Sequence, residues 1–294
     1  MIESTLPATP TEVAGHYDQL DRFYREIWGD HVHHGLWITG KESSDQATRN
    51  LMDAVVTRAR LKAGMHLCDV GCGYGQTSRI IAREQQVKVT GLTISPAQLR
   101  YAQQATEPGL PVEFLLRDWQ HNNLPDASFD AVIAVESTEH MQDKARVFSE
   151  AARVLKPGGR LVVCAWLAAE QPTPWEDRHL LEPICREGRM PSLGTATDLV
   201  RWMTAAGLSV ESSDDVSLQV MRTWPICAWR FIRGVITRPS YLRFLLDPKH
   251  DNRIFGLTML RLWLAYRTGA MRYVIFQASK SGAQAGADEI RYPL

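Results

Sequence analysis

The stretch MHLCDVGCGYG, residues 65–75, decides the fold of this chain. Its first six residues have the apolar composition of a buried strand, and they run directly into a turn with three glycines, Gly71, Gly73 and Gly75. A buried strand that leads through a glycine turn into a helix is typical of an open parallel α/β sheet. Ligands bind such sheets beyond the carboxyl ends of the strands, so the turn marks the expected site.

The rest of the chain continues this alternation of strands and helices. Strands are predicted over residues 87–94, 112–116, 129–135, 161–166, 208–216 and 272–279, and helices over 76–84, 96–104, 143–155 and 197–206. Residues 224–264 also have helical spacing, whereas four prolines make residues 167–195 a poor candidate for one long helix. The pattern predicts a parallel α/β sheet with helices on both faces.

The composition indicates a soluble globular protein without a nucleic-acid partner. The 294 residues are 45% hydrophobic and 22% charged, with 33 basic and 33 acidic side chains. The charge is uneven, since Arg222 to Arg272 contains nine arginines, one lysine and two aspartates. Such an excess usually lies on a solvated helix face, but it could also recognise a diphosphate or make weak contact with an anionic membrane surface.

The cysteines and the apolar segments predict a cytoplasmic protein. The five cysteines include no C-x-x-C pair and are expected to be free thiols. The N-terminal residues lack the basic and apolar regions of a signal peptide. The most apolar C-terminal stretch, 255–266, is interrupted by Arg261 and is too short to span a bilayer.

The glycine turn is better suited to an ammonium group than to a pyrophosphate. Gly75 falls one residue short of the G-x-G-x-x-G spacing of dinucleotide sites. Asp69 places a carboxylate at the turn, which would repel a pyrophosphate and attract an ammonium group. The second strand also ends in Thr93, without the acidic residue that binds the ribose of NAD. These features disfavour an NAD-dependent dehydrogenase and favour S-adenosylmethionine, which carries an ammonium group and no phosphate.

The sequence resembles the class I S-adenosylmethionine-dependent methyltransferases over most of its length. DVGCGYG is similar to their first motif, RDWQ to their adenine loop, and GLTISPAQ to the motif of the sterol, cyclopropane-lipid and tocopherol branch. The γ-tocopherol methyltransferase branch is the most similar, on the segments WGDHVHHGLW, VESTEHMQDK, KPGGRLVVCAW and PWE. The resemblance implies a Rossmann-like sheet with an N-terminal helical lid (1–61), a cofactor-binding core (62–167), and an α-helical acceptor cap that also completes the sheet (168–294).

The resemblance also implies which residues hold the cofactor. Asp69, Gly71 and Gly73 would bind its methionine end, Thr93 and Gln98 its ribose, and Asp118 and Trp119 its adenine. Glu136 and Trp37 are expected to complete the cofactor site. Many class I enzymes have an acidic residue in place of Thr93, so the ribose contacts depart from the family pattern.

His140 is the leading candidate for a general base. It follows the fourth core strand, where a side chain would face the cofactor, and a histidine can accept a proton near neutral pH. The alternative is a histidine at a helix start that is bonded to the backbone. Glu170, just beyond the fifth strand, is the second catalytic candidate, and Glu136 and Glu139 are nearby. Trp166 stands where the branch that methylates sugars has a carboxylate, which disfavours a sugar acceptor.

The three histidines His31, His33 and His34 raise the alternative of a metal site. Apart from Asp30, no carboxylate or cysteine cluster accompanies them. Because the resemblance places this segment in a lid over the cofactor, we expect no metal. Bulky side chains of the lid are expected to close the pocket and exclude water, namely Tyr17, Trp28, His34 and Trp37.

The expected acceptor is a small lipophilic molecule, such as a phenol or a quinol. His34, Trp166, Trp175 and Trp224 are the predicted pocket residues, although most large aromatic residues belong to a core. One alternative is N-methylation of an alkaloid-type amine, and another is C-methylation of a prenyl alkene with Glu170 as the base. A third alternative, of a different class, is a cofactor-binding protein without catalytic activity.

Overall fold

The structure is a computed structural model that describes residues 1–6, 8–29, 31–246 and 255–282. The strands in these ranges are β1 (Ile2–Glu3), β2 (His66–Val70), β3 (Lys88–Thr93), β4 (Val112–Leu116), β5 (Phe129–Val135), β6 (Leu155–Ala168), β7 (Ser192–Leu193), β8 (Leu208–Asp215) and β9 (Met271–Lys280). The α-helices are α1 (Pro10–Ile27), α2 (Ser44–Ala59), α3 (Gln76–Gln85), α4 (Pro96–Gln104), α5 (Lys144–Val154), α6 (Pro174–Glu176), α7 (Glu182–Glu187), α8 (Ala196–Ala205), α9 (Ser217–Val220), α10 (Thr223–Thr237), α11 (Pro239–Leu246) and α12 (Phe255–Thr268).

The main sheet has seven strands in the order β4-β3-β2-β5-β6-β9-β8. The strands from β4 to β6 are parallel, and β9 lies antiparallel between β6 and β8. The chain builds outward from β2 through β3 to β4, then returns to place β5 on the other side of β2. The carboxyl ends of β2 and β5 therefore flank the point where strand order reverses, which is where open α/β sheets bind ligands. The predicted α/β class and Rossmann-like sheet are confirmed.

Both faces of the sheet are buried, as parallel strands require. Neighbouring residues of β5 point into different cores: Ile133 belongs to the cluster that includes residues of α1 and α2, and Val132 to the cluster that includes Phe148 of α5. Short N-terminal caps help to fix where the helices begin. Thr9, for example, forms a capping box with Glu12 at the start of α1.

The structure differs from the sequence expectation in two segments. β6 begins at Leu155, directly after α5, and residues 156–159 bulge out between its pairings with Phe129 and Ala131. The proline-rich segment is helical from Pro174 to Glu187, in α6, a π-helical stretch (Asp177–Leu181) and α7. Pro174 fits because it lies in the first turn of α6, where a missing N–H costs nothing. Pro183 lies at the start of α7, directly after the π-helical stretch.

In the described ranges, no helix combines the length and the hydropathy needed to cross a lipid bilayer.

Candidate active site

The glycine turn brings the ends of β2 and β5 into close contact. Gly71 has a φ of 76°, and a Cβ at this position would lie 2.3 Å from the Cβ of Ser137. The Ser137 hydroxyl donates a hydrogen bond of 2.6 Å to the carbonyl of Val70. Only glycine satisfies both the backbone conformation and this close approach.

A cavity of about 100 Å³ lies above this turn. Seven of the nine residues predicted to bind the cofactor line it: Gly71, Gly73, Thr93, Gln98, Asp118, Trp119 and Glu136. Pro10, Val13 and Tyr17 of α1 also lie on its wall. We call this space the cofactor cavity.

Hydrogen bonds hold the wall of the cofactor cavity in place. The Thr93 hydroxyl donates to Oε1 of Gln98 over 2.7 Å, and the Ser95 hydroxyl caps α4 at the backbone N–H of Gln98. On the adenine side, Asp118 accepts a hydrogen bond from the N–H of Gln120, and the indole of Trp119 donates to the carbonyl of Val147. The Trp119 ring is thereby anchored in the core.

Asp69 and Trp37 are not on the wall of the cofactor cavity. Asp69 is buried beneath the turn, where its Oδ2 accepts a hydrogen bond of 2.5 Å from Ser78. Burial raises the pKa of Asp69 to about 6, although the bond from Ser78 opposes this shift. Trp37 is buried in the lid, and its indole donates to the carbonyl of Glu42.

A second cavity, of about 400 Å³, lies between the sheet and the helices of the predicted cap. We call it the acceptor cavity. Its wall is rich in aromatic side chains, which are His16, Tyr17, Tyr24, Trp28, His140, Trp166 and Trp224. Aliphatic and thioether side chains complete the apolar part, among them Ile184, Met190, Met259 and Leu262. A cavity of this volume and composition suits a flat lipophilic molecule.

Four residues line both cavities: Tyr17, Val32, Glu136 and His140. They form a boundary that we call the window, through which a group bound in one cavity faces a group bound in the other. The predicted catalytic residue His140 is thus placed between the two expected ligands.

The window contains a hydrogen bond between Tyr17 and His140. The Tyr17 hydroxyl lies 2.9 Å from Nε2 of His140, and Nδ1 lies 3.3 Å from the carbonyl of Arg189. Since a carbonyl can only accept, Nδ1 carries the proton and Nε2 presents its lone pair to the Tyr17 hydroxyl. Burial lowers the pKa of His140 to about 4 and raises the pKa of Tyr17 well above its usual value, so both are neutral at pH 7.

Glu136 connects the window to the lid and to the last strand. Its carboxylate accepts hydrogen bonds from the backbone N–H of His34 (2.7 Å), from Nδ1 of His34 (3.0 Å) and from the hydroxyl of Tyr273 (2.7 Å). Burial by itself would raise the pKa of Glu136, but His34 outweighs it and lowers the pKa to about 2. The residue also has a positive φ of 53°, a strained conformation that the three bonds compensate.

A second carboxyl group, that of Glu139, reaches the acceptor cavity. It accepts a hydrogen bond of 2.5 Å from the backbone N–H of Trp166 at the end of β6. Burial raises the pKa of Glu139 above its usual value. A carboxyl group therefore does lie at the end of β6, and it comes from the 3₁₀ turn after β5 (Thr138–His140).

Glu170 and Trp175, like Asp69, Trp37 and His34, line neither cavity. Glu170 faces a separate open groove, and its Oε1 accepts a hydrogen bond of 3.0 Å from the N–H of Thr197. Trp175 is 54% exposed and packs against His179. Directly after β6, the backbone N–H of Ala169 donates a hydrogen bond of 2.8 Å to the carbonyl of Ala270.

The lid histidines have separate roles in the structure. His31 contacts the hydroxyl of Thr77 and His33 contacts the carbonyl of His34, whereas Asp30 lies outside the described residues. His34 is predicted to line the acceptor pocket, but it sits behind the wall, enclosed by Trp166, Trp224, Tyr266 and Tyr273 at ring distances of 4.9 to 5.7 Å. Sequence reasoning missed Tyr273, because no motif marks it.

Comparison with known proteins identifies the family. Residues 6–232 match the model of the mycolic acid cyclopropane synthetase family. The 27-O-demethylrifamycin SV methyltransferase of Amycolatopsis mediterranei is 34% identical over 227 residues, which is 76% of this chain and 83% of that protein. The 2-methyl-6-phytyl-1,4-hydroquinone methyltransferase of Synechocystis is 30% identical over 285 residues, 92% of this chain and 88% of that protein.

Solved structures share the whole fold. The [4+2]-cyclase SpnF superposes with a TM-score of 0.79 at 28% identity and covers 96% of this chain and 100% of that chain. The mycolic acid cyclopropane synthase CmaA1, complexed with S-adenosylhomocysteine and CTAB, has a TM-score of 0.79 at 20% identity, covering 94% of this chain and 99% of that chain. On this evidence the chain belongs to the mycolic acid cyclopropane synthetase family and is an S-adenosylmethionine-dependent methyltransferase.

Proposed function

We propose that the protein methylates a hydroxyl group of a small lipophilic acceptor of the phenol or quinol type. The observation that carries the proposal is the window, where Tyr17 and His140 are hydrogen-bonded between the cofactor cavity and the aromatic acceptor cavity. The names of the two relatives, a hydroquinone methyltransferase and an O-demethylrifamycin methyltransferase, agree with such an acceptor.

The residues of the turn fit S-adenosylmethionine. Gly73 lines the cofactor cavity and has no atom within 4 Å of the place where a Cβ would lie, so a ligand can approach its backbone. The buried carboxyl of Asp69 supplies negative charge below the methionine end. Thr93, Gln98, Asp118 and Trp119 would hold the nucleoside. When bound, the cofactor supplies an activated methyl group on its sulfonium. The cofactor cavity has a volume of about 100 Å³ and is partly covered by Pro10, Val13 and Tyr17 of α1. We propose that α1 moves outward when the cofactor enters.

The protein's own contribution is to orient the acceptor, exclude water and remove one proton. The acceptor hydroxyl would donate a hydrogen bond to the Tyr17 oxygen, whose own proton points to His140. As the acceptor loses its proton to Tyr17, the Tyr17 proton passes to Nε2 of His140. Since His140 is neutral at pH 7, it can accept this proton without prior deprotonation.

Three parts of the chain would provide the lid, the cofactor site and the acceptor site. We propose residues 1–61 as the lid, because α1 covers the cofactor cavity, and residues 62–167 as the cofactor-binding core. Residues 168–294 would form the acceptor cap and the end of the sheet, since Ile184, Trp224 and Met259 line the acceptor cavity. The cytoplasm is the proposed location, because none of the five cysteines is in a disulfide.

N-methylation of an amine is the second candidate. Glu136 and Glu139 place two carboxyl groups on the aromatic wall of the acceptor cavity, and aromatic rings with carboxylates suit a cationic amine. Such an acceptor would need no base once it is neutral.

The test is methyl transfer from radiolabelled S-adenosylmethionine to a panel of phenols, quinols, indoles, amines, sugars and, with magnesium, prenyl diphosphates. Labelled phenol or quinol whose formation requires Tyr17 and His140 would support O-methylation. Labelled amine that persists in His140→Ala would favour the second candidate. Binding of S-adenosylhomocysteine without any transfer would instead indicate a protein without methyltransferase activity.

A further inference from the structure

The exposed sides of the three helices in the predicted cap carry apolar residues that do not pack in the core. Helices α10, α11 and α12 pack together, with α10 in contact with both of the others. Their inner faces carry buried residues such as Phe231, Tyr241 and Leu262. A helix packed on a core on one side normally has a polar outer face.

Here the outer faces carry large apolar side chains instead. Their exposed fractions range from 36% to 77%. On α10 they are Trp229, Ile232 and Ile236, on α11 Leu242 and Leu246, and on α12 Leu257, Leu260, Trp263 and Leu264. Within α10 and α12 the spacing of three and four residues puts them on one stripe. Exposed apolar side chains in this number, on helices that pack together, indicate an interaction surface. We call this set the outer face.

The charges on the outer face are all positive. Arg233 and Arg243 are exposed and form no ion pair with any described residue, and Arg267 lies 5.8 Å from the ring of Trp263. No acidic residue occurs in α10, α11 or α12. Other arginines of these helices are already paired, as Arg238 is with Glu26 and Arg261 is with Glu187.

We infer that the outer face docks onto the surface of an anionic lipid bilayer. Tryptophan and aliphatic side chains insert at the boundary between headgroups and acyl chains, while arginines pair with anionic headgroups. A second copy of this chain fits less well, because two copies would bring the arginines of these helices together, and the helices themselves carry no carboxylate. The complementary charge therefore points to the lipid.

Docking in this way would bring the acceptor cavity close to the bilayer. Thr258, Met259 and Leu262 of α12 line that cavity, while Leu260 and Trp263 of the same helix belong to the outer face. A lipophilic acceptor dissolved in the bilayer would reach the cavity without crossing much water. The docking itself does not depend on which acceptor is methylated.

The test is co-sedimentation of the full chain with vesicles of phosphatidylcholine alone or with phosphatidylglycerol added. We expect binding to the anionic vesicles, weakened by high salt, and little binding to the neutral ones. Arg233→Glu/Arg243→Glu should lower the lipid affinity by about tenfold or more, and Trp229→Ser/Ile232→Ser/Trp263→Ser should abolish binding.

Two control variants separate the outer face from general effects. Arg100→Glu changes the charge of an exposed arginine on α4, and Leu116→Ser removes an exposed leucine from the edge strand β4. Both should bind the vesicles like the unmodified chain, and circular dichroism and S-adenosylhomocysteine binding should show that every variant is folded. Three results would overturn the inference. The control variants could lose as much vesicle binding as the outer-face variants, or the unmodified chain could fail to bind. Sedimentation velocity could also show a dimer that the Trp229→Ser/Ile232→Ser/Trp263→Ser variant dissociates.

Discussion

The hydroxyl of Tyr17 lies 2.9 Å from Nε2 of His140, and the two residues are 123 positions apart in the sequence. Tyr17 comes from α1, which covers the cofactor cavity, and His140 comes from the 3₁₀ turn after β5. The bond therefore forms only when α1 is closed over the sheet. In the proposed mechanism, proton removal therefore depends on the same contact that holds α1 over the cofactor cavity.

Replacing Tyr17 by Phe is expected to lower kcat by about 100-fold or more if the acceptor is a hydroxyl. The affinity for S-adenosylhomocysteine, measured by calorimetry, should stay the same, because the lost hydroxyl acts on the acceptor proton. Tyr241→Phe is the matched control, since its buried hydroxyl bonds to Glu26 on the outer side of α1. Equal turnover in both variants would remove Tyr17 from the proton path.

The pH dependence of kcat should reflect the buried state of His140. Its pKa is lowered by burial to about 4, so the neutral form that accepts a proton persists well below pH 6.5. With both substrates saturating, kcat should hold down to about pH 5 and fall as the pH approaches 4. An acidic limb centred near 6.5, absent in His140→Gln, would show that the imidazole is solvated in the working enzyme.

The free energy of unfolding should also fall as the pH is lowered from 6.5 toward 4, because His140 is buried in its neutral form. The unfolded chain binds a proton on His140 with an ordinary pKa of 6.5, whereas the folded chain resists protonation until about pH 4. The contribution of His140 to stability is therefore complete above 6.5 and is lost as the pH falls from 6.5 toward 4. Urea unfolding of the unmodified chain and of His140→Gln at pH 7 and pH 5 measures this difference.

Cofactor affinity should weaken below about pH 6. Burial raises the pKa of Asp69 to about 6, and only its ionised form attracts the ammonium group of the cofactor. The Kd for S-adenosylhomocysteine should be constant above pH 6 and rise as the pH falls below it. Asp69→Asn should bind weakly at every pH and lose this dependence; a variant that kept it would place the titration elsewhere.

The Glu136 carboxylate is expected to need its bond from Tyr273. Removing that hydroxyl in Tyr273→Phe leaves a buried charge with one donor fewer and should cost about 1.5–3 kcal/mol in the free energy of unfolding. Tyr266→Phe is a close control, because the Tyr266 hydroxyl is buried without a hydrogen-bond partner. That variant should be neutral or more stable in the same urea titration.

Glu170→Gln should leave turnover close to that of the unmodified enzyme. Its carboxylate faces a groove outside both cavities and bonds to the backbone of Thr197. Glu139→Gln is the informative comparison, since Glu139 lines the acceptor cavity. A large loss of kcat in Glu170→Gln alone would mean that the segment after β6 folds inward during turnover.

The local features of the sequence determined the sheet and the class of cofactor. Alternating apolar strands and helices with clear caps predicted the core elements to within a few residues, except for the start of β6, because these signals act between neighbours in the chain. The glycine turn with Asp69 pointed to S-adenosylmethionine, since backbone conformation and charge at a strand end are local properties. The sequence did not predict the bulge at residues 156–159, because the bulge depends on how β6 pairs with β5.

The tertiary structure alone decided which distant residues meet. Tyr17 joins His140 across 123 positions, and Tyr273 joins Glu136 across 137, without any motif that links them. The same packing left Glu170 outside the site, although its distance from β6 in the sequence was right. Sequence by itself encoded the elements and the cofactor, whereas the acceptor cavity depends on packing between segments that have no local signal for one another.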